Sequence, residues 1–321
     1  VLNTSIRFEY GLTTAYGSTV NIPVTLTGNI DTFVSAAITG LIPHRIYHFR
    51  IRAINLKDTT YGRDMVFITG GKSSSISSSA THQIFVDSAG IVYAMGTNSS
   101  GQLGNGTLVQ QQVPIKVLKG AYAGTTYLGD NPANPIIAVG AGVSSSIALA
   151  ADGTLYSFGF NGQGQLGDGT TIQRTTPVKV LKGAYAGTTF LGDDPNNPII
   201  SIMSGASHHV ALALDGTAYS FGYNLYGQLG DGTTFQRTLP VRVLKGMYPG
   251  ASFLGDDKNN PLVSLSTNGY HTMALTAQGE VYTFGYNGYG QLGDSTITNR
   301  TTPVKPLKGD YIGNQFLGDS S

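Results

Sequence analysis

The sequence predicts an all-β protein that is built mainly from one repeated unit. The stretch Gly-Gln-Leu-Gly occurs four times, beginning at residues 101, 164, 227 and 290, so successive copies lie 63 residues apart. Short segments of alternating apolar residues flank each copy, which is the pattern of β-strands. Self-similarity at a fixed period indicates a repeat architecture and constrains the fold more strongly than any single motif.

Two further motifs keep the same period and set the unit boundaries. Leu-Lys-Gly ends at residues 120, 183, 246 and 309, and Leu-Gly-Asp ends at residues 130, 193, 256 and 319. We therefore assign residues 70–321 to four repeats. Their approximate limits are 70–130, 131–193, 194–256 and 257–319.

The third unit shows the pattern of strands most clearly. We expect strands at 199–203, 209–214, 218–223 and 240–244, with a glycine-rich turn before the last one. Four short antiparallel strands per unit are typical of one blade of a β-propeller. In the turn, leucine should be buried between blades, the glycines should permit positive φ, and Asp168 and Asp231 should accept hydrogen bonds from their own turns.

Spaced motifs in the third unit connect the repeats to a known family. They read Gly205-x-x-His208-x-x-Ala211-Leu212, then Gly216-x-x-Tyr219-x-Phe221-Gly222-x-Asn224, then Gly227-Gln228-Leu229-Gly230-Asp231-Gly232. In these motifs the chain resembles the regulator of chromosome condensation repeat family, over about residues 71 to 319. The resemblance implies a seven-bladed propeller. This chain departs from the family in having an extra segment in each unit, 182–195 in the second, and only four units, which should leave the ring open.

Residues 1–69 do not follow the repeat. Ile6, Phe8 and Tyr10 alternate with charged residues, and we also expect strands at 34–38, 46–53 and 65–68. Short strands separated by turns favour a small β-sandwich.

This first segment also resembles a known module. The matching motifs are Phe8-Glu9-Tyr10-Gly11, Leu41-x-Pro43-x-x-x-Tyr47-x-Phe49-x-x-x-Ala53-x-Asn55 and Tyr61-Gly62. They resemble a fibronectin type III domain, which implies that the Tyr47 hydroxyl bonds back to the main chain. Relative to that family the first two strands are missing, so we expect an incomplete sandwich with an exposed edge.

Composition narrows the possible functions. The 321 residues include 19 basic and 18 acidic side chains, a net charge of +1, and no cysteine. Disulfides, thiolate metal sites and cysteine catalysis are excluded. The near-neutral charge argues against nucleic acid as a partner, and no apolar run is long enough to span a membrane.

Several motifs that resemble chemical sites do not qualify as such. The glycine pattern beginning at Gly162 and Gly288 matches a dinucleotide-binding motif, but no helix is predicted after it. His82, His208 and His271 share one repeat position, and we interpret them as hydrogen-bonding groups between blades rather than metal ligands. His208 and His209 should point to opposite faces of one strand. We predict no catalytic residue, cofactor or metal site; calcium at the acidic turns 193–197 and 256–260 is the less favoured alternative to solvated turns.

Aromatic side chains in the inserted segments and beside the glycine turns form the candidate interaction surface. Two interpretations stay open, because such residues serve protein recognition on loops or pack each insertion against its blade. The candidates are Tyr122, Phe190, Tyr226, Tyr248, Phe253, Tyr289, Tyr311 and Phe316.

Three functions are compatible with this pattern. The preferred hypothesis is a non-enzymatic structural or adhesive protein outside a bacterial cell or on its surface, in a filament whose subunits associate through the sandwich edge and the open propeller ends. The alternative is a soluble propeller that binds a protein partner, as an inhibitor or an exchange factor does in the family that the repeats resemble. An enzyme acting on polysaccharide is the third, and no acidic residue stands out for it.

Overall fold

The computed structural model describes residues 3–26, 34, 36–41, 46–68, 75–310 and 315–318. Every regular element within these ranges is a β-strand. The all-β class predicted from the sequence is therefore confirmed. The chain forms two compact units, Val1–Gly70 and Gly71–Ser321.

The first unit contains one antiparallel sheet in its described residues. Its strand order is β2-β1-β3-β4, and β5 pairs with the other half of β3. The strands are β1 (Thr4–Gly11), β2 (Ser18–Leu26), β3 (Ile46–Ile54), β4 (Thr59–Tyr61) and β5 (Met65–Ile68). Glu9 is buried on β1 because its carboxylate pairs with Arg50 at 2.8 Å and with Arg52 at 3.2 Å on the neighbouring strand.

The predicted strands of this unit are only partly correct. The segments around 6–10, 46–53 and 65–68 are strands, as predicted. The strand predicted at 34–38 is wrong for the described residues 34 and 36–38, and Ser35 lies outside the description. Sequence reasoning missed β2 and β4. The fibronectin type III assignment and the role of Tyr47 stay predictions, since the five described strands form a single sheet.

The described residues of the second unit form four antiparallel sheets of four strands each, which we call blades 1 to 4. Blade 1 consists of β6 (Ile76–Ser78), β7 (His82–Val86), β8 (Val92–Gly96) and β9 (Gln111–Lys116), and blade 2 of β10 (Ile136–Ala141), β11 (Ser145–Ala150), β12 (Leu155–Gly159) and β13 (Arg174–Lys179). Blade 3 consists of β14 (Ile199–Ser204), β15 (His208–Ala213), β16 (Ala218–Gly222) and β17 (Arg237–Arg242), and blade 4 of β18 (Leu262–Asn268), β19 (His271–Thr276), β20 (Val281–Gly285) and β21 (Arg300–Val304). The sequence placed the strands of blade 3 to within a few residues, and β17 begins three residues earlier than predicted.

The core of this unit lies between blades. Every residue of β11 and of β15 is buried, because each of these blades has a neighbour on both faces. Ala211 and Ala213 of blade 3 belong to one apolar cluster with Ile147 and Leu149 of blade 2. Small alanines on one side and branched residues on the other allow the sheets to interlock at close range.

Antiparallel order separates the connections into two ends of the blades. The first and second strands, and the third and fourth, are joined at one end, which we call the glycine-turn end. The segments that link consecutive blades, 117–135, 180–198 and 243–261, lie at the opposite end, which we call the insertion end. Each insertion folds back on itself through an isolated bridge, such as Leu181 with Phe190 in blade 2.

Candidate interaction surface

A buried asparagine organises each turn between the third and fourth strands. In blade 3, Asn224 Nδ2 donates to Asp231 Oδ1 at 3.0 Å and to the carbonyls of Thr233 and Phe235 at 3.1 Å. Its Oδ1 accepts the Leu229 N–H at 2.9 Å. The same contacts recur around the other equivalent residues, Asn98, Asn161 and Asn287. A side chain that satisfies four partners holds a long loop in one conformation.

The leucine and glycines of the turn fill the roles predicted for them. Leu229 is fully buried, and Gly230 has a φ of 66°. A Cβ atom on Gly230 would lie 2.8 Å from Val243 and 2.9 Å from Phe284 of blade 4. The turn therefore requires glycine both for its backbone conformation and for contact with the next blade.

An ion pair completes the turn in blades 2 to 4. In blade 3, Asp231 accepts the Thr233 N–H at 3.0 Å, as predicted, and pairs with Arg237 at 2.7 Å. Burial raises the pKa of Asp231, but the hydrogen bonds from Thr233 and Arg237 outweigh it and hold the pKa below its usual value. Blade 1 carries Asn105 and Gln111 at the corresponding positions, so its turn has no ion pair.

Five tyrosines come together at the glycine-turn end of blades 3 and 4. Tyr226 lies in the centre, with its ring centroid 5.3 Å from Tyr270, 5.0 Å from Tyr286 and 6.0 Å from Tyr223. Tyr289 extends the row at 6.0 Å from Tyr286. We call these five residues the tyrosine surface.

Hydrogen bonds within the turns fix the backbone at Tyr226 and Tyr289 while their rings stay open to solvent. Gln228 Oε1 accepts the Tyr226 N–H at 3.0 Å, and Gln291 Oε1 accepts the Tyr289 N–H at 2.9 Å. Tyr289 is 88% exposed, and Tyr270 is 38% exposed. Aromatic side chains on loops with a fixed backbone lose little conformational freedom when they bind a partner.

The tyrosine surface is specific to blades 3 and 4. Blade 1 has Ser100 and blade 2 has Gln163 where blades 3 and 4 carry Tyr226 and Tyr289, and Ser207 of blade 3 corresponds to Tyr270. The aromatic character is therefore not a requirement of the repeat itself, since the same turn forms without it.

Charge is distributed unequally between the two ends of the blades. In the described strand connections at the glycine-turn end, each carboxylate is paired with an arginine, in the pairs Asp168–Arg174, Asp231–Arg237 and Asp294–Arg300. The insertion end carries lysines and acidic residues in every linking segment, such as Lys182 with Asp193 and Asp194 after blade 2. The tyrosine surface is thus aromatic and polar but presents no unpaired charge.

The structure separates the predicted surface residues into different environments. Tyr226 and Tyr289 belong to the tyrosine surface. Tyr122 and Tyr248 lie at the insertion end and are only 2% and 1% exposed, so they are buried rather than part of an accessible surface. The Tyr248 hydroxyl donates to the Asn260 carbonyl at 2.7 Å, and the Tyr122 hydroxyl donates in the same way to Asn134. For these two residues the burial and the hydrogen bonds favour the packing interpretation.

The three predicted phenylalanines also lie at the insertion end and are half-buried. A cation at the end of the fourth strand of the same blade, or directly after it, lies over each ring, at 4.5 Å for Lys179 over Phe190, 4.9 Å for Arg242 over Phe253 and 5.6 Å for Lys305 over Phe316. These contacts favour packing as the role of the phenylalanines. Tyr311 lies outside the described residues.

Sequence reasoning missed Tyr223, Tyr270 and Tyr286. The signal was available, because Tyr223 and Tyr286 occupy one repeat position and Tyr270 replaces a serine or threonine found in the other three blades. Nothing in the sequence shows that the loop before β19 reaches the turns after β16 and β20. The binding role of Tyr226 and Tyr289 stays a prediction.

His82 and His208 form hydrogen bonds between blades, as predicted, and so does His209, whereas no described blade faces the equivalent His271 of blade 4. At each described interface an imidazole contacts a hydroxyl of the neighbouring blade: His82 with Ser146 at 2.8 Å and His209 with Ser145 at 3.2 Å. His208 contacts two hydroxyls of blade 4, Thr267 at 3.0 Å and Thr272 at 3.2 Å. His208 and His209 therefore point to opposite faces. Burial lowers the pKa of both to about 3 and that of His82 to about 4.

The acidic turns at the insertion end use their carboxylates internally. Asp193 Oδ2 accepts the N–H groups of Thr189 at 2.7 Å and Phe190 at 2.9 Å, and Asp256 is bonded in the same way. Within the described residues, no group of three or more histidine or acidic side chains is placed to hold a metal ion. The described ranges also contain no helix with the length and apolar character of a membrane span.

The comparison with protein families identifies the repeats. The model described as "Regulator of chromosome condensation (RCC1) repeat" matches residues 89–149, 152–212, 215–275 and 278–310, more than half of the chain. The chain belongs to this family. Each full-length match begins before the third strand of one blade and ends in the second strand of the next, so it spans an interface between blades.

Relatives of known name share this family. The chain is 29% identical to the ultraviolet-B receptor UVR8 of Arabidopsis thaliana over 226 residues, covering 70% of this chain and 44% of the receptor. It spans less than half of the length of the curated relatives it matches.

Solved structures support the propeller-like fold. The crystal structure of human WBSCR16 superposes with a TM-score of 0.58 at 20% identity, covering 81% of this chain and 64% of that one. Prp20p of Saccharomyces cerevisiae, from a study of its binding to Gsp1p and histones, gives a TM-score of 0.52 at 18% identity, covering 81% of this chain and 60% of that one. At these identities the likeness establishes the fold alone.

Proposed function

We propose that the repeats form a protein-binding module that performs no chemistry itself. The observation that carries this proposal is the tyrosine surface, a contiguous group of partly exposed aromatic rings. Four of the five rings lie on loops whose backbone is fixed by Asn224 and Asn287. Tyrosine is enriched at the energetic centres of protein interfaces because it combines a large apolar area with a hydroxyl group. The family adds support, since Prp20p is described by its binding to Gsp1p and histones.

The experiment is an affinity capture with two matched variants of the full chain. Tyr226→Ala removes the central ring of the tyrosine surface, and Gln163→Ala changes the equivalent position of blade 2. We expect one stoichiometric partner on the wild-type chain and on Gln163→Ala, and its loss on Tyr226→Ala. Equal recovery on both variants, or no stoichiometric partner on the wild-type chain, would contradict the proposal.

A second candidate function is self-association through the outward face of blade 4. Met273 and Leu275 on β19 are 41% and 37% exposed, whereas the equivalent Val210 and Leu212 of blade 3 are 1% and 0% exposed. Inside the array this face is always covered by another blade. We propose that a second copy of the chain covers it, because the interior interfaces show that a blade of the same type fits this face.

Mass photometry over a range of concentrations tests the second candidate. We expect dimers or larger species for the wild-type chain and monomers for the Met273→Glu/Leu275→Glu variant, since two charges at this face oppose burial. Leu225→Glu, on an exposed leucine of a turn, is the control and should associate normally. A wild-type chain that is monomeric at every concentration excludes this function.

The comparisons favour partner binding over the structural and adhesive role that the sequence suggested. The named relatives and solved structures give no support to an adhesive protein or a filament subunit. Location outside the cell and the absence of enzymatic activity stay predictions.

A further inference from the structure

We propose that the tyrosine surface binds a proline-rich segment in the polyproline II conformation. This inference rests on the proposed function, since it names the kind of protein segment that a partner would present. It follows from three properties of the surface, which are its lack of charge, the arrangement of its rings and its rigidity.

The chemistry of the surface selects an uncharged ligand with apolar rings and free acceptors. The tyrosines offer ring faces and hydroxyl groups, and the ionic groups of the neighbouring turns are already paired as Asp231–Arg237 and Asp294–Arg300. A polyproline II segment has no internal hydrogen bonds, so its carbonyls are free to accept from tyrosine hydroxyls. Its pyrrolidine rings supply the apolar contact.

The spacing and the angles of the rings fit a ligand whose surface alternates regularly between ridges and grooves. Successive centroids along Tyr270, Tyr226, Tyr286 and Tyr289 are 5.0–6.0 Å apart. Neighbouring rings in this row meet at 58–81°, so each pair forms a notch rather than a flat plane. A polyproline II helix repeats every three residues, about 9 Å, which is comparable to two steps along the row.

Rigidity on both sides makes such binding efficient. The asparagine and glutamine contacts beneath the turns fix the backbone that carries Tyr226 and Tyr289. A proline-rich segment is itself preorganised, so little conformational entropy is lost when the two meet. Aromatic-lined surfaces bind proline-rich segments for this reason.

Other ligand classes fit the surface less well. Nucleic acid and phosphorylated peptides require unpaired cations, and the arginines of these turns are already bonded to carboxylates. An amphipathic helix requires an aliphatic groove, whereas this row consists of hydroxyl-bearing rings.

Fluorescence anisotropy with the full chain tests the inference directly. The probe is a labelled peptide of about nine residues with an Ala-Pro-Pro repeat, three polyproline II turns. A Gly-Ser peptide of equal length controls for nonspecific contact, and an acidic peptide controls for charge. We expect saturable binding of the proline-rich peptide alone.

Variants then locate the site. Tyr226→Ala and Tyr286→Ala should each weaken binding at least about tenfold, because both rings lie inside the row. Tyr226→Phe, which keeps the ring, should retain most of the affinity, and Gln163→Ala should retain all of it. Circular dichroism and thermal unfolding confirm that each variant is folded.

Two results of the peptide measurements overturn the inference. One is equal affinity for the proline-rich and the Gly-Ser peptides, and the other is an equal effect of Gln163→Ala and Tyr226→Ala. A captured partner that is lost on Tyr226→Ala but contains no proline-rich segment also refutes this inference while leaving the proposed function intact.

Discussion

Blades 3 and 4 follow the same strand pattern, yet only blade 3 is buried on both faces. In β15 every residue is buried, whereas β19 alternates between buried and exposed positions. The difference is produced by the neighbours, since blade 3 lies between two blades and no described blade follows blade 4. The repeat therefore encodes a blade with an apolar face that becomes buried only when another blade packs on it.

The largest effect should separate two equivalent leucines. Leu212→Ala opens a cavity between blades and should cost about 2–5 kcal/mol of unfolding free energy. Leu275→Ala, at the same position of blade 4, should cost about 1 kcal/mol or less because the side chain is already partly solvated. Urea denaturation of both variants measures the difference, and similar losses would show that blade 4 is covered in solution.

The turns should not share this asymmetry. Asn224→Ala and Asn287→Ala each leave a buried leucine N–H and several carbonyls without their partner, which should cost about 2–3 kcal/mol in either blade. The same denaturation measurement applies. A much smaller loss for Asn287→Ala would mean that the turn of blade 4 also depends on a neighbouring blade.

Acid should destabilise the interfaces between blades by a smaller amount. The pKa of His208 is lowered by burial, and by the nearby His209 and His271, to about 3. The unfolded chain therefore binds this proton more readily, so stability is lost as pH falls from about 6.5 towards 3. Between pH 7 and pH 5 the contribution of His208 is on the order of 1–2 kcal/mol.

His208→Ser tests this pH dependence. Serine is the residue that blade 2 carries at this position, as Ser145. The variant should show a shallower fall in unfolding midpoint between pH 7 and pH 5, while His82 and His209 maintain part of it. An unchanged slope would mean that His208 has the same pKa in the folded and the unfolded chain.

The smallest effect is expected from the ion pair of the turn. Asp231→Asn reproduces the situation of blade 1, where Asn105 forms the turn without an arginine partner. Because Arg237 is about one third exposed, the loss should be below about 1 kcal/mol. Thermal unfolding measures the loss of stability in this variant. A loss as large as that of Asn224→Ala would contradict the expectation.

The sequence was sufficient to predict the repeated features and insufficient to predict the tyrosine surface. The glycine turns, the blade strands and the histidine contacts depend on local spacing, so their period reveals them. The environments of Tyr122 and Tyr226 depend on what lies across from each ring, which no local pattern records. Tyr122 packs edge-on against Tyr156, whereas Tyr226 is surrounded by other surface tyrosines.

In the first unit, the one strand that was wrongly predicted had a different cause. The 34–38 segment was chosen for its apolar residues, although Val20 and Ile22 of β2 alternate with polar residues more regularly. The strand forms at Ser18–Leu26 because β2 pairs with β1 along its length. Ser18 lies opposite Tyr10 at one end of this pairing, and Leu26 lies opposite Thr4 at the other.

The imidazole–hydroxyl pairs give an order to units that are otherwise nearly interchangeable. Ser145 of blade 2 contacts His209 of blade 3, and His208 of blade 3 contacts Thr272 of blade 4. If blade 4 docked directly on blade 2, Ser145 would face Thr272, and two short hydroxyl side chains would not fill the space of an imidazole. Near-identical repeats are prone to docking out of sequence as they fold. The imidazole–hydroxyl contacts, including the one between His82 and Ser146, differ from one interface to the next. Each blade should therefore pack better against its neighbour in sequence than against a similar blade farther along the chain.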